Sequence, residues 1–334
     1  MIRITLALLS IGFGVLTAEP RFVYPLPEAS TMAIQTDLVY KTIAKQDLHF
    51  DLYRPTNYAS RRGLPVVVFM QGVGSGDVRK WAQYTGWGKL VTTIGMAGVV
   101  YDSHEAGVAE DATDLLDYLR RHAEELHLDG ANVVLWSCSA NVRAGLPLAM
   151  GVGQTAIKAA VFYYGVVEEI KELRMDLPML VVRAGLDGVS LNRGIDRLVA
   201  RASAMNVPLT FINMPAAHHA FDIMDDNDAS RDVIARTLDF MKTQTSPSAQ
   251  SRVLSGVADA TAAASVYRED WTAAIKAYEA LTGRRPRDPE LHRNFGNALY
   301  GQGNSSGPSP SMNGLWSWVI PMSAGSPTPL LPPG

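Results

Sequence analysis

NVVLWSCSANV, residues 132–142, is an apolar run that stops abruptly in small and polar residues. Such an unbroken run suits a strand covered on both faces, because neither face meets water and a period-two alternation has no purpose. The pattern recurs outward in both directions, as LPVVVFMQG at 64–72, GMAGVVYD at 95–102, AAVFYYG at 159–165 and MLVVRAG at 179–185. LHFDLYRP at 48–55 alternates instead, with Leu48, Phe50 and Leu52 on one face and His49, Asp51 and Tyr53 on the other, the period of a half-exposed strand. Between the runs lie helical stripes: Leu115, Leu119 and Leu126 within 111–126, and Ile234, Leu238 and Met241 within 230–241. Strands alternating with helices predict crossover connections and an α/β fold with a doubly wound, mostly parallel sheet. Sites in such sheets form at the carboxyl ends of strands, which is where the quoted stretch ends.

The 334 residues, 47% hydrophobic and 19% charged, suffice for one sizeable core and an appendage. A net charge of -3 gives no electrostatic reason to expect nucleic acid or an anionic membrane surface as partner. Cys138 is the single cysteine, so no intrachain disulfide can form and stability rests on packing.

At the start, Arg3 precedes an apolar run over 4–16 and small residues around Ala18, the layout of a secretory signal peptide over 1–18. A buried strand or an uncleaved anchor is the competing reading. Processing would leave a secreted or periplasmic protein with no membrane span. The sheet-forming pattern fills 19–243, and the polar, turn-rich TQTSPSAQS marks a linker over 244–252. Residues 253–303 are Ala-rich and helical. Ala274, Tyr278 and Pro286 fall at spacings that resemble the second helix of a tetratricopeptide repeat, and NFGNALYGQG resembles the first helix of another. An ordinary amphipathic hairpin is the alternative. Either way these helices are the candidate surface for a protein partner or self-association. The tail over 304–334, rich in Pro, Ser and Gly, is expected to be disordered.

A hydroxyl becomes a good nucleophile when a base takes its proton, a carboxylate orients the base, and preplaced N–H groups meet the oxyanion. Residues 137–141, SCSAN, place Ser139 at the centre of a turn after a strand, with small Ser137 and conformationally tolerant Asn141 two positions to either side. Centring the turn on Cys138 instead puts Trp136 at a crowded position, which favours Ser139; alone, the serine could equally be a helix cap. Asp187 follows the run MLVVRAG, and His218 and His219 follow the run LTFINM at 209–214. Ala140 offers one N–H to an oxyanion, and Gly72 or Val73, in the loop after VVVFM, offers the other. The GVGSG of that loop lacks the spacing and the Lys-Ser/Thr pair of a phosphate-binding loop.

Residues 40–243 resemble an α/β-hydrolase of the dienelactone-hydrolase or small-esterase kind, on LHFDLYRP, PVVVFMQGVG, LWSCSAN, AGLD and HHAFD. The resemblance implies an acyl-enzyme on Ser139, with His219 as base and then acid and Asp187 orienting it. HHAFD resembles an H-x-F-D context of that family, which favours His219 over His218. Gln71 stands where the family usually has histidine, and both elbow glycines are replaced. About twenty residues separate VFYYG from Asp187, too few for a cap domain, so the site is expected to be open. Trp81 and His104, with Tyr84 and Trp87, follow strands near the expected mouth and are candidates to shape the pocket. His122 and His127 are five apart and His218 and His219 are adjacent, spacings that do not make a zinc site, so no metal is expected. The expectation is a cofactor-free hydrolase of small or medium acyl esters, with a peptidase on the same residues, or a weakly active interaction scaffold, as rivals.

Overall fold

The computed structural model describes residues 21–246 and 270–305, except 62, 75, 76, 105, 169 and 171, together with Ala262 and Ser265. The signal-peptide reading, most of the linker and nearly all of the 304–334 tail fall outside the described residues. The chain divides into two compact units, Met1–Val257 and Ala258–Gly334.

The first unit is built on eight strands: β1 (Met32–Ile43), β2 (Gln46–Pro55), β3 (Leu64–Met70), β4 (Ala97–Tyr101), β5 (Leu128–Cys138), β6 (Ile157–Tyr163), β7 (Met179–Ala184) and β8 (Leu209–Met214). They form one sheet in the order β1-β2-β4-β3-β5-β6-β7-β8. β1 and β2 join antiparallel at one edge, and all pairings from β4 to β8 are parallel. Helices α1 (Ala82–Leu90), α2 (Val108–Arg121), α3 (Val142–Met150), α4 (Val189–Ala204), α5 (Phe221–Met224) and α6 (Asp228–Gln244) complete this unit. Among the described residues between β6 and β7 there is neither helix nor strand.

Alternate residues of each central strand face two separate cores, as buried parallel strands require. Val66, Val68, Leu135, Phe162 and Val181 pack with Leu115 and Leu119 of α2, Leu146 of α3 and Leu198 of α4. Val67, Phe69, Val134, Trp136, Tyr163 and Val182 pack with Trp87 of α1 and Ile234 and Leu238 of α6. Trp136 centres the second core, its ring centroid 5.5 Å from Phe69, 5.6 Å from Trp87 and 5.4 Å from Tyr163. α6 begins where the Asn227 side chain accepts the Ser230 N–H at 2.9 Å, a cap that satisfies one of the helix's orphan donors.

Two sequence expectations are corrected here, and β1 is a strand the sequence pattern did not signal. β1 carries no alternation because its pairing with β2 slips twice, between Gln35 and Leu38 and between Val39 and Lys41, and each slip resets which side chains face the core. β2 is not half-exposed: Asp51 and Tyr53 on its second face are also buried. Arg79 pairs with the Asp51 carboxylate and Lys80 donates to it at 2.9 Å, while α1 lies so close over Tyr53 that a Cβ on Gly88 would stand 2.7 Å from its ring. The helix expected at 111–126 begins at Val108 and ends at Arg121, with Leu126 buried in the segment leading to β5.

The second unit contains α7 (Trp271–Arg284) and α8 (Pro289–Ser305). Ala274, Tyr278 and Leu281 of α7 bury against Leu291 and Ala298 of α8, together with Ala262. Asp270 caps α7 by accepting the Ala273 N–H at 3.1 Å. No helix among the described residues is long and apolar enough to cross a membrane.

Candidate active site

β5 runs through the middle of the sheet and ends at Cys138, and the chain turns at once through Ser139 into α3. Ser139 has a φ of 53°, the left-handed region that side chains other than glycine rarely adopt. Such a conformation is of order 1–3 kcal/mol above an ordinary one and persists where its surroundings enforce it. Here they do: Val166 donates its N–H to the Ser139 carbonyl at 2.9 Å, and α3 starts immediately beyond. The turn presents the serine hydroxyl at the carboxyl edge of the sheet.

Ser139 Oγ lies 2.9 Å from His219 Nε2, and His219 Nδ1 lies 2.6 Å from Asp187 Oδ2. Because a carboxylate accepts only, Nδ1 carries the imidazole proton and Nε2 is left to accept from the serine hydroxyl. The Asp187 side chain is 7% exposed and that of His219 38%, so the acid is screened from water while the imidazole and serine stay accessible. Asp187 comes from the loop after β7 and His219 from the loop after β8, so three strand ends supply the three groups. His218 faces elsewhere, its Nδ1 2.8 Å from Asp225.

The crowding that elbow glycines usually relieve is relieved here one turn later and one strand over. A Cβ on Gly145 of α3 would stand 2.7 Å from Ser137 Oγ, and one on Gly165 would stand 2.2 Å from Val142 Cγ2. These two glycines let α3 approach β5 and the segment after β6, and sequence reasoning passed over both. Asn141 serves differently from the expectation that it tolerates unusual backbone: its φ of -83° is ordinary. Its side chain instead donates to the Gln71 carbonyl at 2.5 Å, tying the turn to the loop after β3.

That loop passes against the nucleophile, where a Cβ on Gly72 would stand 3.2 Å from Ser139 Cβ. Of the two loop donors left open by the sequence, the Gly72 N–H is already given to the Tyr84 hydroxyl at 2.8 Å. Val73, the other loop residue, is exposed. Trp81 lies on the same loop, within 2.0 Å of where a Cβ on Gly74 would be, and stacks on Tyr84 at 6.3 Å. His104 is instead bound by Asp111, which accepts from its Nδ1 at 3.0 Å and its backbone N–H at 2.6 Å.

Cys138 is fully buried, and burial, the largest influence, pushes its thiol up to about 12, which keeps it protonated and unreactive at neutral pH. Asp222, three residues past His219, is also fully buried. Desolvation raises its pKa, opposed by hydrogen bonds from Gln83, Tyr164 and Trp87. A cleft of about 710 Å³ opens on the outer side of α2 and α3, lined by Glu110, Arg143, Pro147 and Glu168 among others, and none of the three strand-end groups lines it. Among the described residues no cluster of three or more His, Cys, Asp or Glu side chains could hold a metal ion.

No protein-family model matches the chain. No curated protein matches it either. Solved structures do resemble it. A fungal esterase from Rhizomucor miehei is similar with a TM-score of 0.54 and 14% identity, over 66% of this chain and 86% of that one. A thermophilic esterase from the planctomycete Thermogutta terrifontis is similar with a TM-score of 0.52 and 20% identity, over 65% of this chain and 93% of the other. An esterase solved with p-nitrophenol gives 0.53 and 15%, over 65% and 82%. The first unit therefore has the α/β-hydrolase fold.

Proposed function

We propose that the protein is a cofactor-free serine hydrolase that cleaves esters of small or medium acyl chains. The observation that carries this reading is the continuous Ser139–His219–Asp187 hydrogen-bond chain, mounted on a turn strained at the serine itself. In the reaction Ser139 Oγ attacks the ester carbonyl carbon as its proton passes to His219 Nε2, and Asp187 stabilises the resulting imidazolium. The N–H groups of Ala140 and Val73 receive the oxyanion. The tetrahedral species collapses, the alkoxide leaves with the proton from His219, and an acyl group stays on Ser139. Water attacks that acyl group in turn, giving its proton to His219, and the acid is released as Ser139 recovers its proton. Each oxyanion donor in such a site is worth about 10²–10³ in rate.

Esterases among the structural neighbours and the absence of helix or strand among the described residues of 164–178 support an ester substrate reaching an open site. Within esterases, the HHAFD segment and the short insertion before Asp187 favour the dienelactone-hydrolase-like kind, acting outside the cytoplasm if the first 18 residues are a leader. The helices of the second unit, on the spacing of Ala274 and Tyr278, are read as repeat-like and as a surface for a protein partner.

The test is hydrolysis of p-nitrophenyl esters, short to long, by wild type, Ser139→Ala and Cys138→Ala, with a fluorophosphonate probe alongside. Activity and labelling are expected to vanish in Ser139→Ala and to survive in Cys138→Ala. A wild type inert to every ester and to the probe would overturn the reading.

A further inference from the structure

Beneath the site runs a chain of buried polar groups that the reaction does not use. Gly72 donates its N–H to the Tyr84 hydroxyl at 2.8 Å, and that hydroxyl lies 3.5 Å from Cys138 Sγ. On the other side of the elbow, the Tyr164 hydroxyl accepts from Gln83 Nε2 at 2.6 Å. Tyr164 donates to Asp222 Oδ1 at 2.7 Å. Asp222 is closed off on its other sides by Gln83, whose Nε2 is 3.0 Å from both carboxylate oxygens, and by Trp87 Nε1 at 2.9 Å.

A backbone N–H can only donate, so the Tyr84 hydroxyl accepts from Gly72 and its own proton is left for Cys138 Sγ. Across the elbow Tyr164 gives its proton to Asp222. These buried groups touch all three parts of the site: the loop after β3 through Gly72, the elbow through Cys138, and the histidine loop through Asp222. Tyr164 adds a second contact to that loop, with its ring 4.8 Å from the His219 ring.

We propose that Tyr84 is a positioning residue: by holding the Gly72 N–H inward it fixes the peptide planes of residues 71–73 so that the Val73 N–H, not that of Gly72, faces the oxyanion. The inference rests on the serine-hydrolase reading. Tyr84 touches no reacting atom in it, since its hydroxyl is spent on Gly72 and Cys138.

The experiment compares wild type, Tyr84→Phe and Cys138→Ala on p-nitrophenyl butyrate and on two inhibitors. Trifluoromethyl propyl ketone adds the Ser139 hydroxyl across its carbonyl, the proton passing to His219 and the carbonyl oxygen becoming the oxyanion; its reduced alcohol cannot do so. Tyr84→Phe keeps the ring and loses only the hydroxyl. It is expected to lower kcat about tenfold at unchanged KM, to weaken the ketone by the same factor, to leave the alcohol unaffected, and to speed hydrogen exchange at the Gly72 amide. Cys138→Ala breaks the chain one link further away and is expected to lower kcat by no more than about threefold.

If Tyr84→Phe retains full activity and ketone affinity, or weakens ketone and alcohol alike, the positioning role falls while the serine hydrolase stands. If Cys138→Ala proves the more damaging of the two, the order of the chain is wrong and the role falls with it. If wild type hydrolyses nothing, the hydrolase reading falls and carries this one with it.

Discussion

Two histidines of this protein lean on a well-buried aspartate, His219 on Asp187 and His104 on Asp111, and their surroundings have almost nothing else in common. The carboxylates are 7% and 1% exposed and the imidazoles 38% and 31%, so burial does not separate the pairs. What separates them is the other neighbour. Asp111 also accepts from Lys41 Nζ at 2.8 Å, so its charge is spent on an ammonium, whereas the second nitrogen of His219 meets a serine hydroxyl on a strained turn. An acid and an imidazole in contact make a scaffold joint in one place and, in the other, the rear two-thirds of the relay proposed above.

The sharpest way to break the contrast is to delete each imidazole. His219→Ala, like Ser139→Ala, is expected to lower kcat for p-nitrophenyl esters by about 10⁴-fold or more, and His104→Ala by less than about tenfold. Equal losses would erase the distinction. Next come the acids. Asp187→Asn leaves the geometry but admits the wrong imidazole tautomer, an expected loss of roughly 10³–10⁴ in kcat with little change in melting temperature. Asp111→Asn should do the reverse, leaving the rate nearly intact while lowering stability by about 1–2 kcal/mol, read from denaturant unfolding, because Lys41 and His104 lose their buried acceptor while Lys41 keeps Asp114.

A pH series sharpens the Asp111 side. Burial pushes this carboxyl up, but hydrogen bonds from Lys41 and His104 outweigh it and hold it below the usual range. A carboxyl depressed in the folded state contributes stability above its unfolded pKa of about 4, and that contribution is lost as pH falls through the folded value. Asp111→Asn should therefore flatten the acid limb of the stability curve, and an unchanged limb would refute the pairing.

Cys138 has the opposite sign. Its thiol is raised from 9.0 to about 12 by burial, so above pH 9 the unfolded chain loses a proton that the folded chain keeps. Stability should fall through that window by up to about 1.4 kcal/mol per pH unit from this one group, and Cys138→Ala should remove that share. The smallest effect belongs to His218→Ala, where an imidazole exposed at 63% pairs with Asp225 and is expected to contribute under about 1 kcal/mol and nothing to catalysis.

The sheet was legible because buried parallel strands write themselves as unbroken apolar runs, and β3 to β7 are such runs. β1 was not, because its slips in register scramble the alternation that identifies an exposed strand. β2 misled in a different way: Asp51 looks like a solvent-facing residue until Arg79, 28 positions away, covers it. In the site, the order of Ser139, Asp187 and His219 could be read because each follows a strand. Gly145 and Gly165 could not, and Tyr84 could be placed near the mouth but not on Gly72. Their importance lies in what comes within van der Waals reach across the fold, and no spacing along the chain records that. Asn141 shows the same limit, correctly singled out and wrongly explained, since its value is an amide reaching Gln71 rather than a permissive backbone.

The 80 positions between Ser139 and His219 also have a meaning in time. A ribosome adding about 5–20 residues per second delivers the serine roughly 4–16 seconds before its base. Throughout that interval the growing chain holds an unarmed alcohol, because β8 has not yet joined the edge of the sheet. On the proposed reading, ester cleavage is a signal that reports completed assembly of the last strand, and on stalled chains of increasing length it should switch on only after residue 219 has emerged.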